Sequence, residues 1–238
     1  MSVQSGRPLL DLAPAGDGQW DGTCQARRAP SRVSVAEVAR NAAGPARARI
    51  LSAATALFVS DGYLGTTMAA IAEHSDLAVQ SLYLRFGSKL AILKAALDAA
   101  VVGDLEPLPL LERPWVKQVE GAKDGRAAVR LFVAETKRIM GRTYPIYAVV
   151  LRAAAGEAGE LLAENRRQRY EGSLAIAELL SKKAGSVRGP AVTTAADRIF
   201  GLVSEDHYGL LVVERGWSPD QWEAWCADLL AGVLFPGA

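Results

Sequence analysis

TTMAAIAEHSDLAVQSLYLRFGSK, residues Thr66 to Lys89, is the stretch on which the reading of the whole chain turns. Its apolar spacing predicts two short helices joined by a tight corner. In the first, Met68, Ile71 and Ala72 share one face at i, i+3, i+4, and Thr66 or Thr67 supplies an oxygen for the N-cap. The corner is His74-Ser75-Asp76-Leu77, where Asp76 is a short polar residue that tolerates left-handed backbone. From Ala78 to Phe86 a second helix turns Leu82 and Phe86 inward and leaves Val79, Gln80, Ser81, Tyr83 and Leu84 to other faces. A solvated helix would carry Lys and Glu pairs here, yet from Leu77 through Gly87 the only ionisable side chains are Arg85 and the phenol of Tyr83. Something other than water is the expected partner. Gly87 then ends one helix and Ser88 caps the next. Lys89, just inside that helix start, opposes the macrodipole, which makes sense if a phosphate sits at the positive helix end.

Around this stretch the sequence is that of an ordinary globular protein. Its 238 residues, half of them hydrophobic, suffice for one or two domains with a sizeable core. A net charge of +1 gives no broad field for nucleic acid, so DNA binding has to come from a local surface. Cys24 and Cys226 form no CxxC pair, which argues against a disulfide framework or a zinc site and suits a reducing cytoplasm. No apolar run approaches the roughly eighteen residues of a membrane helix, so a cytoplasmic location and no membrane contact are expected. With only His74 and His207, and no HExxH, GxSxG, Walker A or dinucleotide glycine pattern, no enzyme activity and no cofactor are expected.

The segment RILSAATALFVSDGYLGTTMAAIAEHSDLAVQSLYLRFGSKLAILKAALD, Arg49 to Asp98, resembles the N-terminal domain of TetR-family transcriptional regulators. The likeness rests on RIL-x-AA-x-x-LF, the G-Y, T-T and I-A pairs, and L-Y-x-x-F-x-S-K. Two positions depart from it: Asp76 stands where the family commonly has glycine, and Ala78 where Ser or Thr often caps the reading helix. The resemblance implies an all-α fold, with a helix-turn-helix three-helix domain at 42–88 and a helical ligand-binding and dimerisation domain at 89–238. It also implies a homodimer that binds double-stranded DNA at a palindromic operator, responds to a small-molecule effector, and acts as a repressor. Family positions that commonly touch the DNA backbone fall on Thr67, Ser81, Tyr83 and Lys89. From side-chain chemistry, the Gln80 amide can pair with adenine, and Val79 and Leu84 can meet a thymine methyl in the major groove. The other reading left open is a helical small-molecule binding protein that has lost DNA recognition, in keeping with the apolar Ala78-Val79 start and the low net charge.

In the remaining chain, residues 1–41 lack a sustained period and read as a disordered arm, basic toward its end. From Arg27 to Arg49 there are six arginines against the single acid Glu37, a charge pattern that fits either a solubilising tail or an arm on DNA phosphates. Helices are expected from Ala46 to Asp61 and Ser88 to Val102, followed by a connector from Gly103 to Gly125. Further helices are expected over Arg126–Arg142, Pro145–Ala155, Glu157–Lys183 and Pro190–Arg215. Ser218, Pro219 and Gln221 announce a capping box for the last helix, with Trp217 and Trp222 as its hydrophobic staple. The apolar stripe Trp222, Trp225, Cys226, Leu229, Leu230 and Val233 needs a partner, and the resemblance makes the last two long helices the dimer interface. Trp115, Phe132, Met140, Tyr144, Tyr147 and His207 are candidate pocket residues, although each also reads as core. Ser204 to His207 reads as a polar face or pocket wall, and Arg166, Arg167 and Arg169 as a solvated helix face.

Overall fold

The structure, a computed structural model, describes residues 44–103, 109–183 and 192–236. The basic arm at 1–41 and the first residues of the helix expected from Pro190 lie outside the described residues. Among those described, the regular structure is entirely helical, in keeping with the all-α reading. Helices α1 (Pro45–Gly65), α2 (Met68–Ser75) and α3 (Val79–Phe86) form the first group, and α4 (Lys89–Val102) runs from it. After a 3-10 turn at Leu110–Glu112 come α5 (Pro114–Gly121), α6 (Gly125–Ala153) and α7 (Gly159–Ser181). The chain closes with α8 (Val192–Leu202), α9 (Glu205–Tyr208), a π-helical segment Gly209–Glu214, and α10 (Pro219–Leu234).

Two apolar cores organise these elements. The first joins Ile50, Phe58, Ile71, Leu82, Ile92, Leu93 and Leu97 to Ile146, Tyr147, Val150, Leu161 and Leu162. It therefore runs without a break from the three-helix group through α4 into α6 and α7. Each fully buried Leu, Ile or Phe adds about 1.5–3 kcal/mol of burial free energy, so Ile92, Leu93 and Leu97 anchor α4 in the core it shares with α1 and α6. The second core gathers Val129, Phe132, Val133, Ile176, Ile199, Trp222, Cys226, Leu230 and Phe235 from α6, α7, α8 and α10.

Several expectations from sequence are corrected. The helices read as Arg126–Arg142 and Pro145–Ala155 are one, the 29-residue α6, with Pro145 inside it. Proline removes one N–H and crowds the carbonyl four residues back, but Pro145 and Gly141 both lie at exposed positions, where that carbonyl is open to hydration. Ile139, Met140, Thr143, Ile146 and Tyr147, buried on either side of the proline, hold the helix through it. The connector contains a helix, α5, started by Pro114 at its first turn. The segment read as one helix to Arg215 breaks after Leu202, where Ser204 caps α9 by accepting from the His207 N–H at 3.1 Å.

The last helix starts as read: Ser218 Oγ accepts from Gln221 N at 3.1 Å, and Gln221 Oε1 accepts from Ser218 N at 2.8 Å. Its staple is different. The Trp217 ring stands edge-on to Trp225 at 6.1 Å, while Trp222 packs edge-on against Tyr208 at 5.3 Å. The apolar stripe also divides: Trp222, Cys226 and Leu230 are buried in the subunit's own core, whereas Leu229 and Val233 stay exposed.

Candidate functional site

The helix-turn-helix is built as its sequence dictates. Thr67 caps α2 by accepting from Ala70 N at 3.0 Å, while Thr66 is buried and donates to Gly62 O at 2.8 Å. Asp76 takes the left-handed conformation, φ 53° and ψ 50°, and its N–H closes the end of α2 on Ala72 O and Glu73 O. Its carboxylate lies 3.6 Å from Arg49 with both side chains well exposed, a contact that contributes little. Ala78 stands at the α3 N-cap and offers no side-chain hydrogen bond there. Gly87, at φ 76°, ends the helix, and Ser88 Oγ caps α4 by accepting from Ala91 N at 3.1 Å.

Helix α3 buries Leu82 completely and half-buries Phe86 against the Arg47 guanidinium, 4.9 Å above its ring. Val79, Gln80, Tyr83 and Leu84 are exposed, Leu84 at 89 %, and Ser81 is half-buried. Apolar and amide groups thus stand in solvent on a short helix whose one charged side chain is Arg85. Leu64, also 89 % exposed, lies at the end of α1 just before the helix-turn-helix.

Lys89 also has partners within the protein. Its ammonium donates to Tyr63 O at 2.7 Å and Thr66 O at 2.9 Å, and stands 4.3 Å from the Tyr63 ring centroid. These carbonyls end α1, where no intrahelical donor reaches them, so the lysine ties α4 to that helix end. Two of its three donors are thus engaged inside the protein. Tyr63, stacked on Phe58 at 6.0 Å, donates its hydroxyl to Glu157 Oε2 at 2.7 Å, in the link between α6 and α7. Their pairing was not legible in sequence, because 94 residues separate them.

A cavity of about 550 Å³ opens among α4, α5, α6, α7 and the Val203–Glu205 turn. Trp115, Phe132 and Met140 line it as expected. Tyr144, Tyr147 and His207 fall outside its wall, for identifiable reasons. The Tyr144 ring packs on Tyr208 at 5.9 Å and against Gly209, where a β-carbon would come within 2.3 Å of it. Tyr147 donates to Asp206 at 2.9 Å, and burial first, then that hydrogen bond, push its phenol up to about 12. His207 Nδ1 lies 3.0 Å from Leu202 O, with its ring 4.9 Å from Trp225.

The residues that sequence reasoning set aside prove more telling. Arg166 bonds Asp206 at 3.2 Å, and Arg169 donates to Phe200 O at 2.8 Å while its guanidinium stacks 4.0 Å over the Phe200 ring. Arg169 Nε also faces Glu205 Oε2 at 3.3 Å, out of hydrogen-bond alignment, with side chains only 14 % and 4 % exposed. Burial pushes the Glu205 carboxyl upward against the opposing pull of Arg169. Arg167, paired with Glu164 at the surface, fits the solvated face, and Arg166 is also partly exposed; Arg169 is the least exposed of the three. A basic triplet on one helix carried no signal of this, since Glu205 and Asp206 arrive from 36 or more residues later in the chain.

With this geometry established, comparison with known proteins becomes informative. Residues 50–96 match the family described as bacterial regulatory proteins, tetR family. Among solved structures, a putative TetR-family transcriptional regulator from Mesorhizobium loti is 18 % identical, covers 82 % of this chain and 97 % of its own, and superposes with a TM-score of 0.60. NalD of Pseudomonas aeruginosa, a secondary repressor of a multidrug efflux pump, is 16 % identical over 81 % of this chain and 98 % of its own, with a TM-score of 0.60. The fatty acid degradation regulator FadR of Bacillus halodurans is 16 % identical over 79 % and 95 %, with a TM-score of 0.61. No curated protein matches the sequence. Among the described residues no helix is long and apolar enough to cross a membrane. A family match that lies on the same residues as the capped helix-turn-helix identifies that segment of the chain as an N-terminal domain of the tetR family of bacterial regulatory proteins.

Proposed function

We propose that this regulator is a ligand-responsive repressor that binds a palindromic operator as a homodimer. The observation that carries the DNA-binding half is the outer face of α3, where Val79, Gln80, Tyr83 and Leu84 stand exposed without charge pairs. That face is costly in water and suited to base edges and methyl groups in a major groove. In this reading Gln80 contacts a base, Val79 and Leu84 meet thymine methyls, and Thr67, Ser81 and Tyr83 set the backbone register. Lys89 contributes by holding α4 against α1, with one donor left for a phosphate. Dimerisation is supported by Leu210, Val213, Leu229 and Val233, which remain exposed on the last two helical segments. Two such subunits would place their reading helices about one DNA turn, roughly 34 Å, apart.

Response to a ligand is supported by how the cavity is wired. Helix α4 lines it with Asp98, Val101 and Val102, and begins with the Lys89 that grips the end of α1. Helix α7 lines it with Asn165, Gln168 and Arg169, and follows directly on the Glu157 that grips Tyr63. A ligand that moves either helix moves a contact of the reading domain, and a changed spacing costs contacts at both half-sites. The structural neighbours named as an efflux-pump repressor and a fatty acid degradation regulator are in keeping with this arrangement. Selection from a random DNA library followed by gel shifts tests the reading. Gln80→Ala and Tyr83→Ala should each weaken the selected site, Gln80→Ala by about 1–3 kcal/mol with relaxed preference at one base position. Unchanged specific binding in both variants would refute the assignment of α3.

A further inference from the structure

The cavity's charged groups are already balanced, and that restricts what can enter it. Arg169 and Glu205 face each other across 3.3 Å, and the arginine is further spent on Phe200. Nearer the surface Lys94 bonds Asp98 at 2.8 Å, a second self-neutralised pair in the lining. Among the described lining residues only the exposed Glu171 stands outside these pairs. A carboxylate entering the cavity finds no unpaired cation, and an ammonium finds in the buried part only the carboxylate that Arg169 faces, since the unpaired Glu171 is exposed to water. Either ion loses its hydration without compensation.

What the wall does offer is hydrogen bonding. Four buried polar atoms of the lining have no hydrogen-bond partner among the described residues: Arg169 Nε and Glu205 Oε2, which face each other as an ion pair, and the indole Nε1 of Trp115 and the side-chain oxygen of Asn165, which face no charge of their own. Trp115 and Asn165 both line the cavity. One is a donor and the other an acceptor, a combination met by a hydroxyl or a primary amide but by neither ionised head group alone. Most of the remaining wall is apolar, with Val101, Leu110, Phe132, Ile139, Met140 and Ile176.

We propose that the cavity binds an uncharged, mainly apolar molecule with a hydroxyl or amide head held by Trp115 and Asn165, in preference to an organic anion or cation. This specifies the ligand of the response proposed above and rests on that reading. Four probes with equal chains test it by thermal shift on the full chain: 1-decanol, decanamide, decanoate and decylammonium, all below their aggregation limits. The alcohol and the amide should give the same rise in melting temperature at one tenth or less of the concentration the ions require. If decanoate or decylammonium matches or exceeds them, the charge argument falls while the cavity remains a ligand site. If none of the four stabilises the protein, both the head-group assignment and the ligand-responsive reading of this cavity fall. Trp115→Phe keeps an aromatic side chain of smaller size and removes the donor. It should weaken decanamide three- to tenfold with an unchanged melt in the absence of ligand, and an unchanged decanamide affinity would overturn the role of the indole N–H.

Discussion

The hydrogen bond from Tyr63 to Glu157 is the most direct test of how the helix-turn-helix group is joined to the rest of the chain. Tyr63→Phe removes the donor and leaves the ring, which keeps its stacking on Phe58 and its contact with the Lys89 ammonium. A hydrogen bond to an ionised acceptor is worth about 1.5–3 kcal/mol. Glu157 sits at an exposed position and recovers water when the donor is lost, which puts the expected cost at the lower end, about 1–1.5 kcal/mol. For a chain of this size that corresponds to a melting temperature lower by roughly 3–5 °C at fixed protein concentration.

Glu157→Ala should cost a similar amount, and the double variant little more than either single one, leaving a coupling of about 1 kcal/mol in a denaturant cycle. Additivity within about 0.3 kcal/mol would refute the reasoning, because it would mean that the 2.7 Å contact joins nothing. Burial first, and Glu157 second, push the Tyr63 phenol above its ordinary range. A raised phenol favours the fold below the unfolded-state value near 10 and loses that contribution as pH climbs beyond it. The coupling should therefore be constant from pH 7 to 9.

Three other outcomes follow from individual contacts. Lys89→Met should lower stability by about 2–3 kcal/mol, because two charge-assisted bonds to carbonyls are lost; an unchanged melt with a salt slope of DNA binding reduced by about 0.9 would return Lys89 to a phosphate role. Gly125→Ala places a β-carbon about 2.1 Å from the fully buried Phe235 ring and should cost about 1–3 kcal/mol in chemical denaturation, with no loss indicating a looser C-terminus than described. In a Cys24→Ser background the buried Cys226, its thiol pushed up to about 12 by burial, should be inert to a disulfide reagent at pH 8 until denaturant is added, and rapid labelling of the native protein would contradict its placement.

The local code determined much of this protein. Caps, breakers and helical spacing placed α1 to α4, the left-handed corner at Asp76 and the capping box of the last helix, because each depends on residues within one or two turns of one another. Exposure of the α3 outer face was legible for the same reason, in the absence of charge pairs. What only the tertiary structure decided are matters of long range. Packing on both sides of Pro145 overrode its breaking tendency and fused two expected helices into α6. Lys89 reads as a surface cation in sequence, yet it closes on carbonyls more than twenty residues back. The cavity kept three of its six expected residues and gained Arg169, Asn165 and Glu205, because its wall is drawn from five segments whose register no local pattern encodes. Short-range hydrogen bonds can be read from neighbouring letters, whereas the pairing of buried charges depends on where distant helices cross.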